Sequence, residues 1–122
     1  MQFRAICYHL LTSSQKGANF LVTGAWSNAV AKEASKWCKL HIVEDTKAIG
    51  HSTVRESTWS VLQNADFFHY VDNETADGFE FNQFPYHKVP AGQPLICDMS
   101  SSLLTKPIDW SKYGVVYASA QK

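Results

Sequence analysis

With 122 residues, 45% of them apolar, the chain is long enough for one modest hydrophobic core and too apolar for disorder. Eleven Lys and Arg offset eleven Asp and Glu, so the charge balance points to no nucleic-acid partner and no membrane partner. No apolar run approaches the ~20 residues of a membrane span, and the opening Met1-Gln2-Phe3-Arg4 lacks a long apolar segment and a small-residue cleavage site, which excludes a signal peptide and favours a cytoplasmic protein.

Phe3, Ile6, Cys7, Leu10 and Leu11 recur at helical spacing and predict one amphipathic helix fading into Thr12-Ser13-Ser14. Lys16-Gly17 reads as a turn, and Asn19 to Thr23 as a short buried strand stopped by Gly24. From Trp26 to Cys38 the pattern is helical again. Ala29, Val30, Ala34 and Trp37 are expected on its buried face, Lys32, Glu33 and Lys36 in solvent, with Ser27 or Thr23 as the cap. His41-Ile42-Val43 is a second short strand, and the polar stretch from Glu44 to Ser60 has no period and reads as a long excursion.

Phe67 to Val71 is an aromatic-rich strand leading into Asp72-Asn73-Glu74-Thr75. Gly78 turns the chain, and Phe79-Glu80-Phe81 alternates like a strand. Leu95-Ile96-Cys97 is a buried strand ended by Asp98, and Val115 to Ala118 is the last one. Short strands alternating with helices or long crossovers predict an α/β layer structure with a largely parallel sheet. In such sheets ligands collect at the carboxyl ends of the strands. That rule singles out Thr23 to Trp26, Asp72 to Thr75, and Asp98 to Ser101.

The three cysteines, Cys7, Cys38 and Cys97, are odd in number and far apart. They read as buried, reduced thiols rather than a disulfide framework or a zinc site. His9, His41, His51, His69 and His87 show no H-x-x-x-H spacing, so no metal site is expected. Four other residues have a plain structural reading beside a chemical one. Trp26 can be core, Thr75 a turn stabiliser, Asp98 a cap at a strand end, and Lys122 a solvated tail.

Their setting argues for chemistry. Thr23-Gly24-Ala25-Trp26-Ser27, Asn73-Glu74-Thr75 with Asp77-Gly78, Cys97-Asp98-Met99-Ser100-Ser101, Lys106-Pro107-Ile108-Asp109, and Tyr113-Gly114-Val115-Val116-Tyr117-Ala118 through Ala120-Gln121-Lys122 stand in one order. In that order they resemble the phosphoserine aminotransferases, class V aminotransferases of the type I pyridoxal phosphate (PLP) fold, from about Gln2 onward. The resemblance implies a mixed, mostly parallel sheet flanked by helices, and PLP as cofactor. Lys122 would bond the cofactor aldehyde and move the proton during transamination. Asp98 would hold the pyridine nitrogen, Trp26 would stack on the ring, Thr75 would donate to the phenolic oxygen, and Gln121 would reach the phosphate.

The reaction implied is amino-group exchange between L-glutamate and 3-phosphohydroxypyruvate, giving O-phospho-L-serine and 2-oxoglutarate, in a homodimer with shared active sites. Residues 1–122 would form part of the large PLP-binding domain, with the small C-terminal domain, the upstream Gly-rich turn and the substrate-clamping arginine absent. The chain alone is therefore expected to be inactive. Two departures stand out: Cys7-Tyr8-His9 replaces a Pro-containing stretch, and Ser119 replaces a Gly near the expected phosphate. The alternatives are a non-catalytic truncated subunit or proteolytic core acting in dimer association, and another class V PLP enzyme. A flavodoxin-like nucleotide binder is disfavoured, because no G-x-G-x-x-G loop is present.

Overall fold

The computed structural model describes residues 2–12 and 16–119. Its apolar runs lie side by side as five strands, β1 (Ala18–Val22), β2 (Leu40–Asp45), β3 (Phe68–Val71), β6 (Leu95–Asp98) and β7 (Val115–Tyr117). They form one sheet in the order β2-β1-β3-β6-β7, and every pairing is parallel. Between β3 and β6 a small antiparallel hairpin, β4 (Asn73–Glu74) with β5 (Phe79–Glu80), projects beyond the carboxyl end of β3. The expected α/β layering is present.

β1 is an interior strand of this sheet. All five of its residues are buried, as expected of a parallel strand covered on both faces. From β1 the chain passes outward to β2, then returns across β1 to β3. That reversal leaves a crevice between β1 and β3 at their carboxyl ends, the usual ligand position in open α/β sheets. The turn before β1 is made by Gly17, at φ 72°, where a Cβ would strike the Lys39 carbonyl.

Both helices cover one face. α1 (Gln2–Leu10) buries Phe3, Ile6 and Cys7 against Phe20, Val22 and Ile96, and α2 (Ala25–Ala34) adds Ala31 and Ala34. The first helix thus follows its sequence pattern. The second does not. It ends at Ala34 rather than Cys38, and its buried line is Ser27, Ala31, Ala34 and, beyond the helix, Cys38. Ala29 is exposed, Trp37 is 46% exposed, and only Val30 and Ala34 of the expected face pack inward. Polar Ser27 occupies the first inward position, which rotates the apparent apolar stripe away from the real one. Glu33, expected in solvent, instead gathers Arg4, Lys36 and the Trp37 indole at 2.7, 2.6 and 3.4 Å.

Among the described residues the opposite face carries no α-helix, only short 3-10 turns. Irregular chain carrying Trp59, Phe81, Phe84, Tyr86 and Tyr113 packs there over Leu21, Phe68, Tyr70, Leu95 and Cys97. The unperiodic stretch after β2 is held by Glu44, whose buried carboxylate accepts from the Arg55 amide, the Thr58 hydroxyl and the Trp59 indole at 3.1, 3.1 and 2.8 Å. All three cysteines are buried and unbridged. Burial pushes the Cys7 thiol up to about 12, and burial also raises Cys38 and Cys97.

Candidate functional site

A cavity of about 370 Å³ opens at the carboxyl ends of the sheet, lined by Trp26, Asn73, Thr75, Asp98, Ser100 and Ser119 together with Val71 and Ser101. Each of the three places marked by strand ends in the sequence contributes to it. Trp26 follows β1, Asn73 and Thr75 follow β3, and Asp98 ends β6. Three of the five residues singled out for chemistry, Trp26, Thr75 and Asp98, therefore face one space. Gln121 and Lys122 lie outside the described residues. Among the described residues no Lys or Arg lines the cavity.

The wall formed by Trp26 and Thr75 depends on how α2 begins. Gly24 is its N-cap and has no side chain to offer the exposed amides, so the cap comes from elsewhere. The Ala25 amide donates to Asp77 at 2.6 Å, and the Trp26 and Ser27 amides donate to the two oxygens of Glu74, both at 2.8 Å. The Asn28 amide donates back to the Gly24 carbonyl. The Ser27 hydroxyl, turned inward, accepts from the Thr23 and Gly24 amides at 2.8 and 3.0 Å. Ser27 is thus the side chain that ties down the approach to the helix, and Thr23 is not.

Glu74 is fully buried, yet its charge meets two amides and the positive end of a helix, the environment that stabilises a buried carboxylate. Gly24 is required by closeness. A Cβ there would lie 2.5 Å from an Asp77 oxygen and 2.7 Å from the Glu74 side chain. Glu74 and Asp77 are the residues that sequence reasoning missed. The available signal was a Gly-Ala helix start with no capping side chain, calling for an acid from another part of the chain.

With α2 fixed in this way, the Trp26 indole stands 54% exposed at the cavity lip, and its Nε1–H donates to Thr75 Oγ1 at 3.1 Å. That bond uses an acceptor site of the hydroxyl and leaves the Thr75 proton free to donate to another group. An exposed indole face with a hydroxyl donor beside it suits a flat aromatic ligand carrying an oxygen at its edge.

On the other wall, Asp98 Oδ1 accepts from the Ser100 amide at 2.9 Å and the Ser100 hydroxyl at 2.6 Å. Ser100 Oγ in turn accepts from the Ser119 amide at 3.0 Å, linking the acid to the segment after β7. The exposed Ser119 lines the cavity three residues before Lys122. Asp98 pairs in register with Val71 on one side and Tyr117 on the other.

A parallel α/β sheet with a pocket of this kind at its switch point belongs to a recognisable class, and the sequence matches the class V aminotransferase family over residues 1–122. The chain is a member of that family. Within it, the chain is 42% identical over 121 residues to the phosphoserine aminotransferase of Drosophila melanogaster, covering 99% of this chain and 32% of that protein. The structure of a phosphoserine aminotransferase from Bacillus circulans subsp. alkalophilus superposes with a TM-score of 0.87 at 33% identity, covering 96% of this chain and 32% of that one. PLP-bound phosphoserine aminotransferase from Trichomonas vaginalis gives a TM-score of 0.78 at 34% identity, covering 98% and 33%. The chain spans about a third of the length of these relatives.

Proposed function

We propose that this chain is part of the large, cofactor-binding domain of a PLP-dependent phosphoserine aminotransferase. Amino-group exchange between L-glutamate and 3-phosphohydroxypyruvate, yielding O-phospho-L-serine and 2-oxoglutarate, is the reaction of the whole protein. The observation that carries this reading is the convergence of Trp26, Thr75 and Asp98 on one cavity at the sheet's switch point. When bound, PLP supplies an electrophilic aldehyde and a pyridine ring that accepts electrons as the amino group moves.

The residues present fit that group. Trp26 covers one face of the ring and excludes water from it. Thr75 keeps its hydroxyl proton available for the phenolic oxygen because the Trp26 indole occupies its acceptor side. Asp98 is steadied by Ser100 and receives the protonated ring nitrogen, since an opposite charge favours the protonated form. In this reading Lys122 would hold the cofactor through its aldehyde and would supply the base that moves the substrate proton, and Gln121 would contact the phosphate. Ser119 puts a hydroxymethyl group on the cavity wall.

The substrate carboxylate needs a cation, and none lines the cavity among the described residues. The 122-residue segment alone is therefore expected to hold cofactor contacts without turnover, and the complete enzyme to act as a cytoplasmic homodimer. The test uses the full-length protein. Added PLP should produce a visible absorbance band that Lys122→Ala abolishes, together with glutamate-dependent consumption of 3-phosphohydroxypyruvate. Asp98→Asn should lower kcat by about 10²–10³-fold with the fold intact, the usual effect of removing a preorganised electrostatic partner. Full activity in Asp98→Asn, or no band with wild-type protein, refutes the proposal.

A further inference from the structure

Behind Asp98, away from the cavity, the structure holds a second pair of polar side chains that the reading above does not use. Tyr117 lies beside Asp98 on the neighbouring strand, in direct register. Its hydroxyl is 2.9 Å from His69 Nε2. His69 lies two residues before Val71 on β3, and Val71 is the register partner of Asp98 on its other side, so all three side chains project from the same face of the sheet. His69 is completely buried. Its ring is packed between Phe3 and Phe20, with centroids 5.2 and 5.5 Å away, and its Nδ1 has no hydrogen-bond partner among the described residues.

We infer that Tyr117 and His69 are positioning residues for Asp98, forming a donor chain in which His69 Nε2–H donates to the Tyr117 hydroxyl and that hydroxyl donates to the Asp98 carboxylate. The inference rests on the reading of Asp98 as the partner of the cofactor's ring nitrogen. A proton inventory fixes the direction. A carboxylate only accepts, and a tyrosine hydroxyl has a single proton. If that proton goes to Asp98, the hydroxyl oxygen must accept from His69, which requires the Nε2–H tautomer.

A neutral imidazole has one N–H, so Nδ1 is then a bare acceptor. The unpartnered atom in the structure is Nδ1. The opposite tautomer would bury an unused N–H among aromatic rings and divert the Tyr117 proton from Asp98 to His69. Orphaned buried N–H donors are rarer in folded proteins than under-used acceptors. Neither member of the chain carries charge near neutrality. Burial lowers the His69 pKa to about 3, and burial together with the neighbouring charge of Asp98 raises the Tyr117 hydroxyl. The chain therefore orients Asp98 through dipoles, complementing the grip of Ser100 on Oδ1.

The experiment is long-range ¹H–¹⁵N NMR of the histidine rings in the full-length protein, joined to PLP titration by tryptophan fluorescence in wild type, Tyr117→Phe and His69→Gln. The expected results are an Nε2–H tautomer for His69, a PLP Kd about tenfold weaker in Tyr117→Phe, the scale of a hydrogen bond to a charged group, and near-wild-type binding in His69→Gln, whose amide can still donate. Urea unfolding of each variant separates loss of binding from loss of fold. An Nδ1–H tautomer, or Tyr117→Phe binding PLP as tightly as a wild type that binds well, overturns the donor chain. Wild-type protein that binds no PLP overturns the functional reading, and the positioning role with it.

Discussion

The two faces of the sheet solve the same burial problem with different materials. On the helix face, α1 and α2 satisfy most of their own backbone and present Phe3, Ile6, Ala31 and Ala34 to β1 and β6, so packing dominates and outside acids, Glu74 and Asp77, are needed only at the start of α2. On the other face the covering chain is irregular and cannot satisfy itself, and buried acids anchor it. Glu44 collects three donors, and Asp72 accepts from the Ser102 hydroxyl at 2.6 Å and from Lys106 at 2.9 Å. Between these anchors the face is aromatic: Tyr70 stacks on Phe84 at 3.9 Å, and Tyr113 joins Tyr70 and Tyr86 through hydroxyls at 3.0 and 2.9 Å. The cavity opens among the elements of the helix face, where Val71 and Asp98 point, and the acid-anchored face serves as its support.

The sharpest way to break this comparison is to truncate one large ring on each side. Phe20→Ala and Phe84→Ala should each cost about 3–5 kcal/mol in urea unfolding, since both rings are buried and contact several others. The faces should then part in kind. Glu44→Gln keeps the shape but removes the charged acceptor, and should cost about 1.5–3 kcal/mol with enhanced proteolysis between residues 46 and 62. No comparable polar substitution among the core-facing residues of α1 exists to be made.

Gly24→Ala should cost about 1–3 kcal/mol through crowding of Glu74 and Asp77, and should redshift Trp26 emission as the indole loses its fixed place. The last effect is in pH and is spread over several units. His69 has a folded-state pKa of about 3, below the ordinary 6.5, because burial disfavours its charge. The unfolded chain binds the proton first, so the stability of neutral His69 is full above pH 6.5 and is lost as pH falls from 6.5 toward 3. Unfolding curves should show a slope approaching about 1.4 kcal/mol per pH unit in that range, absent in His69→Gln. Above neutrality the loop face responds instead. Burial opposes the Lys106 charge, but Asp72 and then Glu80 raise its pKa overall, so that contribution is lost only as pH climbs past 10.5.

The same contrast explains what could be read from the sequence. The strands were legible because each is a short apolar run closed by a polar residue, and those closing residues are where the cavity formed. α1 was legible because its buried positions are all apolar. α2 was misread because its inward line starts with Ser27, whose task is to bind the Thr23 and Gly24 amides rather than to pack. Glu74 was invisible as a cap because 48 residues separate it from Trp26, and no local pattern spans that distance. The stretch after β2 has no period because the Glu44 carboxylate and scattered polar contacts, rather than a repeating face, hold it down. Trp26, Thr75 and Asp98 were found through motif order; their meeting in one cavity is a property of the strand order.

The grip of Glu74 on the start of α2 also means that the indole and the Thr75 hydroxyl are carried on one rigid jaw, because the hairpin supplying the hydroxyl is the same hairpin that clamps the helix. Any adjustment of the gap across the cavity must come from the facing jaw, where Asp98 hangs on the Ser100 hydroxyl, which can rotate.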